Sequence, residues 1–359
     1  MITPRFRLFL MLVVIPILII GCDSTSSGDT EIRGSFPVGN LEQAGQYAID
    51  ESGGFAVIIW QDGDLLLEQY FKDFTSDREA PLYSGTKSFA GLLAAFAVED
   101  GLFSFDTMLG ELISSWSIEE ERGKITIRQL LNLTSGIQTA SIGAQQSVDQ
   151  LLSSQMAFER GSTFQYGPTP FYLLSLIFSR ELGIDPALYL QNKLFGPLGL
   201  TSGSWNLGLE QGIRNLSFGL LYPANDWLQV GILLENGGEL DGVRVLNQET
   251  LNELLQPSKA APGYGITFWL NKAVDPQSSF VERIPGTLGA VQSDKLISND
   301  MPTDLYMMSG AFGQKLYIVP SLDLVIVRYG RTLQSDFSDQ RFFSLLTEGL
   351  DLSGVQPEL

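Results

Sequence analysis

Short apolar runs near both ends of the chain have the pattern of buried β-strands. Phe55 to Trp60 is a continuous apolar run, Asp62-Gly63 is a tight-turn pair and Leu65 to Tyr70 returns, so the pattern predicts a β-hairpin. Toward the other end, the pattern predicts three further strands at residues 306–308, 315–319 and 324–329.

The region between these ends has a helical pattern. Apolar residues recur at helical spacing from Lys87 to Val98, and Gly101 is placed to end that helix. Residues 109–255 are predicted to be mostly helical, whereas 271–304 fits no regular element and is interpreted as a long loop. Strands at both ends with helices between them indicate an α+β fold: one antiparallel sheet built from both ends of the chain, flanked by helices, with a helical lobe inserted in the middle.

The first segment of the chain has the pattern of a targeting signal. Arg5 and Arg7 precede the apolar run Leu8 to Ile20, which is too short to cross the ~30 Å hydrocarbon core of a bilayer as a helix and has the usual length of a signal-peptide core. The run leads into Cys22, the only cysteine, in a sequence that resembles a bacterial lipobox. That resemblance implies cleavage before Cys22 and diacylation of the cysteine. An ordinary secreted protein and a short buried anchor are the alternatives.

These patterns divide the chain into three segments. Residues 1–21 are predicted to be a lipoprotein-type signal peptide, 22–40 a flexible tether rich in Ser, Gly and Asp, and 41–350 the folded domain. The two predicted lobes of the domain are a sheet lobe at about 41–110 and 256–350, and a helical lobe at about 111–255. A lipid anchor would hold the domain at a bacterial membrane, on the periplasmic face, with the choice between inner and outer membrane left open.

Composition excludes several classes of function. The chain has 41 acidic and 22 basic residues in 359, a net charge of −19, which opposes electrostatic binding of nucleic acid. It contains no histidine, so Ser-His-Asp and Cys-His nucleophile systems and most zinc sites are excluded. We therefore expect no metal and no nucleic-acid partner.

Ser84 and Lys87 are the candidate nucleophile and base. They lie at the start of a predicted helix, where a spacing of three residues brings both side chains to one face. Without histidine, a serine nucleophile needs another base, and a lysine amine can serve where desolvation lowers its pKa. A helix cap beside a solvated lysine is the structural alternative.

Several blocks in one order carry a resemblance to a known family. They are YSGTKSF (83–89), ITIRQLLNLTSG (125–136), LFGPLGL (194–200), and SGAFGQ (309–314) followed by VPSLDL (319–324). With these blocks the chain resembles the serine β-lactamase/penicillin-recognising superfamily, and within it the class C β-lactamase-related serine hydrolases that include 6-aminohexanoate-dimer hydrolases. The similarity runs from about Gly54 to Tyr329 and implies a β-lactamase/transpeptidase-like fold.

The resemblance implies further site residues. Tyr166 matches the family's catalytic tyrosine, which relays the serine proton and protonates the leaving group; a core aromatic is the alternative. The backbone amides of Ser84 and Ala311 correspond to the family's oxyanion hole. The residues expected at the substrate, with a strand or core position as the alternative, are Ser309, Gly310, Phe312, Gln314 and Trp269.

Two positions depart from the family's motifs. Pro168 stands where the family has an asparagine that holds the substrate amide, and Met308 stands where it has a lysine that recognises a substrate carboxylate. The chemistry is therefore expected to be kept, whereas recognition of β-lactams or D-Ala-D-Ala is not expected.

Together these observations predict a serine hydrolase that cleaves a small ester or a linear amide. An acyl-enzyme forms on Ser84, with Lys87 and Tyr166 as the proton network, and no cofactor is required. Two alternatives remain: a D,D-peptidase or β-lactamase acting on cell-wall peptides or penicillins, and a catalytically silent lipoprotein that only binds its partners.

Overall fold

Both ends of the chain contribute to one antiparallel sheet. The computed structural model describes residues 36–205, 213–286, 294–331, 337–352 and 354–355, which belong to the unit Arg33–Leu359. The strands are β1 (Gly54–Gln61), β2 (Asp64–Tyr70), β3 (Glu79–Pro81), β4 (Ser204–Trp205), β5 (Leu220–Pro223), β6 (Glu239–Leu240), β7 (Val243–Arg244), β8 (Trp269–Leu270), β9 (Tyr306–Gly310), β10 (Gln314–Val319) and β11 (Leu324–Gly330). The predicted signal peptide and Cys22 lie outside the described residues.

The main sheet confirms the α+β prediction. Its order is β2-β1-β11-β10-β9-β8, so the first strand of the chain pairs with the last, with Ile59 opposite Ile326. The predicted hairpin is also confirmed. Asp62 and Gly63 have φ angles of 47° and 88°, and positive values at both central residues match the twist of the two strands that they join.

Helices cover the sheet and fill the middle of the chain. They are α1 (Val38–Gln46), α2 (Thr86–Glu99), α3 (Leu109–Leu112), α4 (Ile127–Leu131), α5 (Val148–Leu152), α6 (Thr169–Leu176), α7 (Pro186–Leu190), α8 (Ala224–Glu235), α9 (Gln248–Leu254), α10 (Ser279–Glu282) and α11 (Asp339–Leu346). Short 3₁₀ or π turns occupy Tyr47–Glu51, Tyr83–Gly85, Ser114–Trp116, Ile177–Glu181, Gln191–Phe195, Ala311–Gly313 and Pro320–Leu322. None of the helices in the described ranges combines the length and the apolar character needed to cross a bilayer.

Helix α2 is central and almost wholly buried. Its residues are buried from Thr86 through Ala97, as expected of a helix that is apolar on most of its circumference. It contacts α6, α7, α9 and strand β9. The prediction of a helix from Lys87 to Val98 is confirmed to within one residue at each end, and Gly101 follows it with φ 70°.

Two regions differ from the sequence prediction. Residues 109–255 hold strands β4 to β7 as well as helices, and β4 and β5 form a small sheet with β3. The described part of the segment 271–304 is not all loop, because it contains the short helix α10. The buried Asn271 also connects residues within it by hydrogen bonds. The Asn271 amide nitrogen donates to the carbonyls of Ser298, Met301 and Pro302, at 2.9 to 3.3 Å.

Candidate active site

Ser84 lies in the 3₁₀ turn that leads into α2. Since α2 continues from Thr86, Ser84 stands at the N-terminal end of a buried helix, and its side chain is half-buried. The residue before it, Tyr83, has φ 48°, a left-handed conformation that costs free energy in a bulky residue and is found preferentially at functional sites. The Tyr83 ring meets the edge of Phe312, with ring centroids 4.7 Å apart.

Lys87 is buried one helical turn after Ser84. Its Nζ lies 3.1 Å from Ser84 Oγ and donates to the Ser217 carbonyl at 2.8 Å. The rings of Tyr166 and Phe171 lie 5.1 and 5.2 Å from the same nitrogen. Only 4% of the residue is exposed, and this desolvation lowers the pKa of Lys87 to about 7. In a substantial fraction of the molecules, Lys87 is therefore a neutral amine at neutral pH.

Tyr166 completes the group around Ser84. Burial raises the pKa of its phenol to about 12, and a side-chain hydrogen bond with Ser84 opposes that rise. The Tyr166 ring stacks on the Trp269 ring, with 5.8 Å between the centroids, and this contact holds the orientation of the Tyr166 ring. The structure thus brings the hydroxyl, the amine and the phenol together, although Tyr166 is far from the other two along the chain.

The end of strand β9 lies directly against the residues before Ser84. A Cβ at Gly310 would stand 2.0 Å from the Leu82 carbonyl oxygen, so only glycine permits this approach. Ala311 follows it in the next turn, and Phe312 within that turn has φ 66°. Close packing at Gly310 therefore brings Ala311 to the same cavity as Ser84, as required for the two predicted oxyanion donors.

These residues line a cavity of about 470 Å³. Its wall is mainly apolar and aromatic, which is usual for small-molecule sites. The lining residues are Pro81, Tyr83, Ser84, Lys87, Ile142, Gly143, Tyr166, Gly167, Pro168, Ser217, Phe218, Leu221, Ala311 and Phe312. No carboxylate and no arginine is among these described lining residues.

The other predicted substrate residues have different positions. Phe312 is on the cavity wall, whereas Ser309, Gln314 and Trp269 are not among its lining residues. Gln314 is buried and exchanges two hydrogen bonds with the backbone of Gly330, at 2.9 and 3.1 Å. Ser309 is buried on β9, and Trp269 lies behind Tyr166.

Several cavity residues were missed from the sequence. Ser217 acts through its backbone carbonyl, which any residue would supply, and its position is set by an Asx turn in which Asn215 Oδ1 accepts from the Ser217 and Phe218 amides. That asparagine was the signal available in the sequence. Ile142 lies in a loop without periodicity, and nothing in its sequence context indicates a cavity.

The fold is similar to that of solved hydrolases. A β-lactamase/D-alanine carboxypeptidase from Pseudomonas syringae superposes with a TM-score of 0.63 at 16% identity, over 89% of this chain and 99% of that one. EstCE1, a hydrolase with promiscuous acyltransferase activity, gives a TM-score of 0.63 at 16% identity, over 86% of this chain and 97% of its own. At such identities the similarity establishes the fold alone.

Sequence similarity establishes the family. Monacolin J acid methylbutanoyltransferase of Aspergillus terreus is 27% identical over 161 residues, which is 36% of this chain and 39% of the relative. The match therefore spans well under half of the relative's length. The profile of the family described as Beta-lactamase matches residues 46–346. Since that range is most of the chain, the protein belongs to the beta-lactamase family, within the serine β-lactamase/penicillin-recognising superfamily that its motifs resemble.

Proposed function

We propose that this protein is a serine hydrolase that cleaves an ester or a linear amide through an acyl-enzyme on Ser84. The observation that carries the proposal is the desolvated amine of Lys87, 3.1 Å from Ser84 Oγ with a pKa of about 7. A solvent-exposed lysine on the surface of a helix would keep its ordinary pKa and would not face a serine hydroxyl. Family membership supports the same class of chemistry.

The first half of the reaction acylates the serine. The neutral amine of Lys87 takes the proton of Ser84 Oγ as that oxygen bonds to the substrate carbonyl carbon. The amides of Ser84 and Ala311 are the donors for the negative oxygen of the tetrahedral intermediate. As the bond to the leaving group breaks, the ammonium proton returns to that group through the phenol of Tyr166, which its pKa of about 12 keeps protonated.

Water completes the cycle. It attacks the acyl carbon, its proton passes to the same amine, and the bond to Ser84 Oγ breaks with return of that proton to the serine. The acid product leaves, and the enzyme regains its starting protonation state.

Two positions favour esters and linear amides over penicillins and D,D-peptides. Met308 is wholly buried, and its sulfur accepts a hydrogen bond from the Trp227 indole at 3.3 Å, so this position offers no cation to a substrate carboxylate. Pro168 lines the cavity and has no side-chain amide to hold a peptide group.

Activity-based labelling tests the proposal. A fluorophosphonate probe should label the wild type and should fail to label Ser84→Ala, while Ser162→Ala, which removes an exposed serine outside the cavity, should label normally.

A screen of p-nitrophenyl esters, linear amides and nitrocefin would then define the reaction. Fast turnover of nitrocefin or penicillin labelling limited by deacylation would favour a β-lactamase or D,D-peptidase instead. No labelling at any pH would favour a silent binding protein.

Acyl transfer is a second candidate function. The named activity of the relative from Aspergillus terreus is acyl transfer, and the cavity is mainly apolar, which favours an alcohol over water as the acyl acceptor. The same acyl-enzyme on Ser84 would then pass its acyl group to an alcohol oxygen. Hydrolysis of a p-nitrophenyl ester with and without 1-butanol tests this function: formation of the butyl ester supports it, and release of the free acid alone excludes it.

We further propose, from the sequence alone, that the enzyme is anchored to a membrane through Cys22 on the periplasmic face. The lipobox-like sequence and the tether that follows support this location. Incorporation of an alkyne fatty acid into the wild type but not into Cys22→Ser would agree with it, and equal labelling of both proteins would contradict it.

A further inference from the structure

The cavity at Ser84 has a charge pattern that selects among substrates. Its one basic side chain among the described lining residues is Lys87, whose nitrogen is already hydrogen-bonded to Ser84 Oγ and to the Ser217 carbonyl. A carboxylate on the substrate would therefore lose its water without gaining an opposite charge, which is costly in an apolar site. The net charge of −19 adds unfavourable long-range repulsion.

Ile142 is an exposed apolar residue on the wall of this cavity. It is 67% exposed, and it shares the cavity with other apolar side chains, so that together they form the kind of apolar patch that marks a ligand-binding groove. Gly143 beside it has φ 84°, so the loop turns sharply at this point. With Phe218 and Phe312 on the same cavity, Ile142 offers an apolar surface that water would leave when a ligand binds.

The loop that carries Ile142 is anchored to helix α6, which begins three residues after Tyr166. The Ala140 amide donates to Thr169 Oγ1 at 2.9 Å, and that hydroxyl donates in turn to Gln146 at 2.6 Å. The Tyr172 hydroxyl donates to the Ala144 carbonyl at 3.0 Å. These bonds hold the loop on both sides of Ile142.

The loop also contacts the residues next to Tyr166. A Cβ at Gly167 would stand 1.9 Å from Thr139 Oγ1, so the loop packs directly on the backbone there. These anchors hold the backbone of the loop against the cavity on both sides of Ile142.

From these observations we propose that the natural substrate class is a neutral ester with an apolar chain, and that Ile142 is the specificity residue that contacts this chain. The inference rests on the proposed serine hydrolase function. It adds that chain length raises the rate and that a carboxylate on the chain lowers it. The apolar chain can belong to the acyl half or to the alcohol half of the ester, so the test varies both halves.

Two ester series measure the effect of chain length. The acyl series is p-nitrophenyl acetate, butyrate and hexanoate, and the alkoxy series is ethyl, butyl and hexyl acetate. In at least one series kcat/KM should rise about threefold for each added methylene. In the series that rises, the matched ester with a terminal carboxylate should react at least about tenfold more slowly: the mono-p-nitrophenyl ester of adipic acid against the hexanoate, or 6-acetoxyhexanoic acid against hexyl acetate.

Ile142→Ala identifies the residue responsible. In the series that rises, the ratio of kcat/KM for the longest and the shortest ester should fall about fivefold in this variant. Ile118→Ala is the matched control, because Ile118 is 91% exposed and does not line the cavity, and it should keep the wild-type ratio.

The outcomes separate this inference from the proposed function. If Ser84-dependent hydrolysis occurs but neither series rises, or if the carboxylate ester matched to the rising series reacts as fast as its uncharged counterpart, the substrate class is wrong and the hydrolase proposal stands. If both series behave as expected but Ile142→Ala keeps the wild-type ratio, the assignment of Ile142 is overturned. If no ester is hydrolysed at any pH, the substrate class is wrong. If, in addition, no linear amide is cleaved and the fluorophosphonate does not label Ser84, both proposals are overturned.

Discussion

Lys87 determines how the site should respond to pH. Burial lowers its pKa from 10.5 to about 7, and only the neutral amine can accept the Ser84 proton. We therefore expect kcat/KM for an uncharged ester to rise about tenfold per pH unit below pH 6 and to level off above pH 8. The pKa of Tyr166, about 12, lies above this range, and the chain has no histidine that would titrate within it. A rate profile from pH 5 to 9 checks this expectation, and a midpoint near 4 or 5 would contradict it.

The same buried amine should make the native enzyme less stable than a simple variant. In the unfolded chain Lys87 keeps its proton up to about pH 10.5, whereas in the folded protein it loses it near pH 7. Between these values the unfolded state binds more protons, so wild-type stability rises with pH, and below pH 7 the cost of burying the charge is fully present. Lys87→Met removes this cost and should be more stable by at least about 1 kcal/mol at pH 6.

Urea unfolding of the wild type and Lys87→Met at pH 6 and pH 9 measures this difference. The gap in the free energy of unfolding should be smaller at pH 9. A gap that grows with pH, or a variant that is less stable at pH 6, would count against a desolvated lysine.

At the scale of elements, the sequence predicts the strands and helices that have a long, uniform pattern of apolar residues. Strands β1, β10 and β11 are runs of five or more residues that are mostly buried on both faces, and such runs are visible without knowledge of their partners. Helix α2 was predicted for the same reason, because its apolar residues recur over several turns. The order of elements along the chain predicted one sheet built from both ends, whereas the pairing of β1 with β11 within that sheet was not predicted.

Very short elements, and contacts between residues far apart in the sequence, could not be predicted in this way. Strand β4 has two residues, too few for any periodicity. Asn271 orders its segment through hydrogen bonds to residues 27 to 31 positions away, which no local pattern reveals. Within the site, Ser84 and Lys87 were predictable because one helical turn separates them. Ser217 and Ile142 were not, because their roles come from a backbone carbonyl and from a loop position.

At the scale of the whole molecule, one buried arginine joins the N-terminal segment to the turn that carries Ala311. Arg328 on β11 is fully buried, and its guanidinium donates to the carbonyls of Gly313, Ser52 and Ala48, at 2.8, 3.0 and 3.2 Å. Gly313 ends the turn that carries Ala311, while Ser52 and Ala48 belong to the N-terminal helical segment and its end. The planar fork of arginine makes all of these bonds at once, and a lysine ammonium cannot reproduce that geometry.

Arg328→Lys should therefore weaken both folding and catalysis. It leaves buried carbonyls without a donor, which is expected to cost about 2–4 kcal/mol of unfolding free energy, and it releases Gly313, so kcat/KM per folded molecule should fall by at least about tenfold. Lys315→Met is the matched control. Lys315 is equally buried on the neighbouring strand, but its ammonium pairs with Asp339 at 3.0 Å and not with the Gly313 turn. Its loss should lower stability and leave kcat/KM of the folded fraction within about twofold. Equal losses of kcat/KM in both variants, measured below their unfolding temperatures, would mean that Arg328 acts on stability alone and does not position the turn.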